Sequence, residues 1–266
     1  VTADTSGMTV GEWGHFEVTL SDTSGQAPDQ VFPGAVQKPA PVQQGSYVVA
    51  SNATDATCAM PFANQGGYVD LGAFGIPIQA GLTGDTIGFT TFAAPPIWMH
   101  GQYFSEGVHF RDDGFAFLPN AGQVNQSGAP WVNQPIPSSL QPNNLLAPAW
   151  HDWQIVADVA NDRGVRLATA GTTWLMADFR RVSEFGSTAP ALSYQIAMRR
   201  NPSLTPGFWD IVFAYNHVTS NAHLANTTIG IENLFGDEGV QVAYNDANLG
   251  QIVDGRAICF RWVPAP

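Results

Sequence analysis

GVHFRDDGFAFL, running from Gly107 to Leu118, is the stretch on which the fold turns. Two short runs rich in β-branched and aromatic residues flank Asp112-Asp113-Gly114. Glycine takes a positive φ at no steric cost, and aspartate side chains bond their own backbone, so the triplet reads as a tight turn. The expected unit is an antiparallel hairpin of Gly107–Arg111 against Gly114–Leu118. The same triplet raises a second question, because two adjacent carboxylates are also ligands that calcium accepts.

Outward from the hairpin the pattern repeats. Segments of β-branched and aromatic residues alternate with turn clusters at Ser46–Ser51, Thr86–Phe92, Thr172–Phe179, Leu192–Arg199, Phe208–Tyr215, Thr227–Glu232, Gly239–Tyr244 and Ala257–Trp262. Helical periodicity is nearly absent. The predicted fold class is therefore all-β, an antiparallel β-sandwich, jelly-roll-like, with long loops and little helix. Ser21–Gln44 holds four prolines and no period, and reads as a linker or irregular lead-in. Pro119–Pro142 reads as a long surface loop, and Asp152–Gly171 as one short helix or another hairpin. The expected organisation is residues 1–84 as an irregular lead-in with a few strands, packed on a main sandwich domain of residues 85–266.

Composition narrows the environment. Charged residues make up 12% of the 266, about half the usual share, and Gly 27 and Pro 19 fit a loop-rich β protein. Twenty-two acidic groups face ten basic ones, of which only Lys38 is lysine. A net charge of -12 repels phosphate backbones and anionic lipid, so neither nucleic acid nor a membrane is an expected partner. No apolar run reaches the roughly 18 residues of a membrane span. No signal peptide precedes Val1, so the chain reads as a mature or excised form. Cys58 and Cys259 form an even pair in an acidic, lysine-poor chain, which implies an oxidised bridge in a secreted, extracellular protein; two free buried thiols are the alternative.

Catalysis by a nucleophile or a metal requires residues in recognisable contexts. Neither a G-x-S-x-G elbow nor subtilisin-type Asp, His and Ser contexts occur, and no H-E-x-x-H is present. The six histidines are scattered, at 15, 100, 109, 151, 217 and 223, with His217 and His223 in a loop after a strand. A glycosidase needs two carboxyl groups about 5–10 Å apart, and the candidates are Asp112, Asp113, Asp152, Glu232, Asp237 and Glu238. None sits in an E-x-D-x-E strand pattern, and Asp237-Glu238-Gly239 reads as a hairpin turn. Asp112 and Asp113 are turn formers or calcium ligands; no other cofactor is expected, and no residue is assigned as catalytic. Most aromatics, such as Phe115/Phe117, Trp209/Phe213 and Phe260/Trp262, read as packing between two sheets.

A run of landmarks then adds up. FTTFAAPPIWMHGQYFSEGVHFRDDGFAFL (Phe89–Leu118) is followed by Asn143-Asn144-Leu145-Leu146-Ala147-Pro148-Ala149-Trp150-His151-Asp152, TWLMADFRRV, LSYQIAMRRN, Asp210–Tyr215 and Thr227–Asn233. In that order they resemble the C-terminal accessory β-sandwich domain of secreted bacterial subtilisin-like (S8 family) serine proteases. The likeness spans roughly Asp85 to Tyr244 and departs at Asp112-Asp113-Gly114, where the family often has S-N-G. It implies that Trp150 lies in the core, that Asp152 holds a turn, and that His151 fills a variable slot. It further implies a non-catalytic module whose partner is a protein or polysaccharide substrate, or the catalytic domain of a parent protease. Two other readings stand beside it: a free-standing carbohydrate-binding or adhesion module, and a polysaccharide-active enzyme with an unrecognised carboxylate site.

Overall fold

A computed structural model describes residues 45–91, 97–104, 107–119, 131–170, 173–200, 209–246 and 252–265, together with the backbone of two strands nearer the N-terminus. Those two, β1 (Trp13–Leu20) and β2 (Gln30–Gln37), pair antiparallel within the first of two compact units, Val1–Gln43. Part of the stretch read as a linker is thus a strand, with Pro33 inside it opposite Glu17. A two-stranded ribbon has an open edge along each strand, where a residue lacking an N–H is tolerated.

The second unit, Gln44–Pro266, is an antiparallel β-sandwich. Its strands are β3 (Gly45–Ser51), β4 (Gly88–Thr91), β5 (Ile97–Met99), β6 (Gln102–Phe104), β7 (Val108–Arg111), β8 (Ala116–Phe117), β9 (Leu145–Trp150), β10 (Trp153–Gln154) and β11 (Gly164–Ala170). They continue with β12 (Trp174–Glu184), β13 (Leu192–Arg199), β14 (Ile211–Asn216), β15 (Thr228–Glu232), β16 (Gly239–Tyr244) and β17 (Ala257–Pro264). One sheet runs β10-β12-β13-β14-β17-β3, with β11 also on β12; the other runs β16-β15-β9-β8-β7-β4. The helical segments described are 3-10 turns at Leu71–Phe74, Val159–Asn161 and Asn221–Leu224. No helix among the described residues is long and apolar enough to cross a membrane.

The main core lies between the sheets. Phe89 and Phe110 stack at 5.2 Å on one side, Phe179 and Tyr194 at 4.8 Å on the other. Two buried hydroxyls cross the core: Tyr215 donates to the Pro148 carbonyl at 2.7 Å and Tyr194 to that of Asp112 at 3.4 Å. Successive residues of a strand face opposite sides, and here the outer faces are covered too. On β12, Leu175, Ala177 and Phe179 enter the central core, whereas Trp174 and Met176 join Cys58, Met60, Val69, Leu71, Trp209 and Cys259. Beyond the other sheet, Phe115, Phe117, Leu145, Ala147 and Trp150 pack with Ile136. The expectation that Phe115/Phe117 and Trp209 pack between the sheets is thus corrected: they fill these outer clusters, and Phe213 and Phe260 belong to the central one.

Double coverage explains why β9 was hard to read. All six of its residues are buried, so no in-out alternation marks it; β13 is buried throughout as well, yet its run of apolar and aromatic residues matches the expected Leu192–Arg199. In β9, Pro148 falls where the register with β15 shifts, the kind of irregularity that accepts proline. Asp152–Gly171 holds a 3-10 turn capped by the Asp158 carboxylate and then β11, which forms a hairpin with β12. Phe92, residues 120–130, Thr172 and Phe208 lie outside the described residues, as does Ser21–Gln44 apart from β2.

The segment between β3 and β4 is fastened over the first sheet. Cys58 and Cys259 are joined in a disulfide, with Cα atoms 5.6 Å apart and a sequence separation of 201. Arg166 donates to the Ile76 carbonyl at 2.8 Å, and Arg180 pairs with Asp70 at 3.3 Å and with Asp162. The buried Asp178 carboxylate accepts from the Tyr68 hydroxyl.

Candidate metal centre

The Asp112–Gly114 turn forms as the sequence implies. Arg111 N–H donates to the Phe115 carbonyl at 2.9 Å, Gly114 N–H to that of Asp112 at 2.7 Å, and Gly114 has φ 77°. Among the described residues, neither buried side-chain oxygen of Asp112 has a close hydrogen-bond partner. Asp113 is 96% shielded, and its close partner is Arg111, at 3.9 Å from Nη2.

Three loops converge here through backbone bonds. Gly84 and Ile155 exchange hydrogen bonds of 2.7 and 2.9 Å, which sets Asp85 beside the β9–β10 segment. Asp112 N–H donates to the Ile87 carbonyl at 3.1 Å, and His151 N–H donates to the Asp113 carbonyl at 3.0 Å. Phe185 N–H donates to the Asp152 carbonyl at 3.0 Å, tying the same turn to the first sheet. The result places one carboxylate oxygen each from Asp85, Asp113 and Asp152 within 4.8 Å of one another.

Electrostatics follow from crowding and burial. Loss of solvent pushes Asp113 up to about 8, with the adjacent Asp112 charge adding to the effect. Burial likewise pushes Asp112 up to about 6 and raises Asp152, to which Asp85 contributes repulsion. Like charges this close favour either shared protons or a cation.

Sequence reading named Asp112 and Asp113 as calcium ligands, and Asp152 as a carboxylate and turn former. The geometry brings Asp113 and Asp152 together and keeps Asp112 next to them in the chain. Asp85 was missed. It stands in a short Gly-Asp turn ahead of β4, and no spacing rule links positions 85, 113 and 152; topology alone does so.

The remaining carboxylates of the sequence reading lie elsewhere. Asn233 Oδ1 accepts from the N–H groups of Phe235, Asp237 and Glu238, and Asn233 Nδ2 donates to Asp237, so this segment is the expected β15–β16 turn. Glu232 is buried and accepts from Ser138 N–H at 2.5 Å; loss of solvent pushes it up to about 7. A carboxyl whose folded pKa exceeds its unfolded value keeps a proton that the unfolded chain has lost, so stability falls as pH rises from about 4.5 to 7. Glu232→Gln is therefore expected to be near neutral at pH 4 and to stabilise at pH 8, on the order of 2 kcal/mol. Urea unfolding at both pH values measures this; an equal effect at both would contradict it.

The His151 side chain is held among Trp153, Asn226 and Glu184. Its ring meets the edge of Trp153 at 4.8 Å, Nδ1 lies 3.2 Å from the Asn226 carbonyl, and Nε2 lies 3.8 Å from Glu184. His223 Nδ1 contacts the same Glu184 oxygen at 2.7 Å. Trp150 is buried, as the resemblance implies, and Trp153 donates to the Ala149 carbonyl at 2.6 Å. Asn144 takes the left-handed conformation that asparagine tolerates, at φ 58°. Its Nδ2 donates to Leu118 at 2.7 Å and its N–H to Asn233 at 2.8 Å, joining β8, β9 and β15. No family model, curated protein or solved structure matches the chain.

Proposed function

We propose that this chain is a non-catalytic binding module of a secreted bacterial protein, the accessory sandwich of a subtilisin-like protease, which holds a protein or polysaccharide substrate for its parent enzyme. The observation that carries this reading is where the landmark residues go. Phe110, Phe179, Phe213 and Ile229 are engaged in the central core, Phe117 and Trp150 in the outer cluster beside Ile136, and Asn144 in a joint between strands. Side chains engaged in packing two sheets are not free to transform a molecule. The buried disulfide supports an oxidising compartment.

Binding then falls to exposed aromatic side chains, whose faces stack on sugar rings or proline. Trp131 and Tyr244 are exposed near one end of the β15–β16 pair. Asn133, two residues after Trp131, donates to Thr228 at 3.0 Å and Asn245 at 2.8 Å, and Thr228 is the register partner of Tyr244. The test is retention of the purified chain on insoluble collagen, chitin and cellulose. Binding to one polymer, weakened about tenfold or more by Trp131→Ala with an unchanged melt, is expected. Passage through all three, or turnover of a polysaccharide abolished by a single Asp→Asn change, would overturn the proposal.

A further inference from the structure

We infer that the Asp85–Asp113–Asp152 junction is a calcium site that ties together the loop before β4, the β7–β8 turn and the β9–β10 turn. Three observations carry it. The three ligand oxygens lie within 4.8 Å of one another. Oxygens on one calcium, each about 2.4 Å from the ion, are at most about 4.8 Å apart, so this spread fits one ion. Next, the Asp113 carboxylate points into the cluster while 96% shielded, and among the described residues only the distant Arg111 contact offsets its charge. Finally, Asp112 adds a fully buried carboxylate with both oxygens unpartnered.

A buried ionised carboxylate without a partner costs several kcal/mol, so native sites pair it, protonate it or give it a metal. Here the Arg111 guanidinium meets one of these carboxylates, that of Asp113, and only at 3.9 Å. The donor set is oxygen only, which suits a hard cation rather than zinc with its nitrogen and sulfur ligands. Magnesium needs near-ideal octahedral geometry at about 2.0–2.1 Å, whereas calcium accepts irregular sets of six to eight oxygens completed by water. The frame is already held by the Gly84–Ile155, Ile87–Asp112 and Asp113–His151 backbone bonds. Calcium would therefore find its protein ligands largely in position.

The inference is independent of the binding-module reading: a chain that takes up calcium but holds no polymer defeats that reading alone. The experiment is calorimetric titration of the full chain with calcium chloride after chelator treatment, together with melting curves in calcium and in EDTA. One ion per chain is expected, with Kd in the range of about 10⁻⁴–10⁻³ M common to extracellular sites. The melt should rise by about 3–6 °C when free calcium is about ten times Kd. Asp85→Asn and Asp152→Asn, at partly exposed positions, should each weaken binding about tenfold or more. Each should also raise the melt in EDTA by removing a like charge, a gain that a merely structural aspartate would not give. Glu238→Gln, in the β15–β16 turn, should leave binding unchanged. No heat and no calcium-dependent melt, unchanged affinity in both variants, or tighter binding of magnesium than of calcium would overturn the inference.

Discussion

Removing the Cys58–Cys259 bond, as the Cys58→Ala/Cys259→Ala double variant, is expected to lower unfolding stability by about 5 kcal/mol. The bond closes a loop across 201 residues, nearly the whole second unit, and cross-linking so long a segment removes much of the freedom of the unfolded chain. The native state also loses a fastening. Cys58 lies in the segment that covers the outer face of the first sheet, where Met60, Val69 and Leu71 pack on Trp174, Met176 and Trp209. Cys259 sits in β17, between β14 and β3. Denaturant unfolding measures the loss, and hydrogen exchange should show residues 58–71 losing protection first. An unfolding midpoint equal to that of the native chain would mean that the arginine and tyrosine contacts hold this segment without the bond.

Gly114→Ala is expected to cost about 2–5 kcal/mol, a large effect for one methyl group. Gly114 has φ 77°, a region that costs an L-residue about 1–2 kcal/mol. A Cβ there would also lie 1.9 Å from the Ala149 carbonyl oxygen and 2.9 Å from a Trp153 ring carbon, an overlap that backbone must relieve. Forced repacking of this kind typically adds another 1–3 kcal/mol. The carbonyl cannot retreat freely, because it accepts from Trp153 Nε1. Relief must separate the β7–β8 turn from the β9–β10 turn, and so Asp113 from Asp152. The variant should therefore lose calcium affinity along with stability. A stable Gly114→Ala chain with full calcium binding would show that the two turns are not in this contact.

The turn that decided the fold illustrates how far sequence reading reaches. Asp112-Asp113-Gly114 was legible as a hairpin turn because its chemistry is local: a glycine at positive φ between two apolar runs. The limits of β13 and β16 were legible for the same reason, since polar or turn residues bracket each run. β9 was not, because burial on both faces erases alternation and Pro148 argues against a strand. Likewise β2 was hidden by Pro33, a residue that strands accept mainly at open edges and irregularities.

The site was half legible. Asp112 and Asp113 are adjacent, and their potential as calcium ligands follows from residue type alone. Asp85 carries no such signal, since it joins them only after β4 pairs with β7 and Gly84 bridges Ile155. The same holds for the outer clusters. Phe115 and Phe110 look alike in sequence, but the pleat sends one outward under Ile136 and the other into the central core.

Anomalous diffraction from a crystal of this chain grown in calcium tests the central claim most directly. One peak is expected, bounded by carboxylate oxygens of Asp85, Asp113 and Asp152 at calcium distances of about 2.3–2.6 Å. A junction without a peak, its carboxylates protonated onto each other or turned away to arginine, would contradict it.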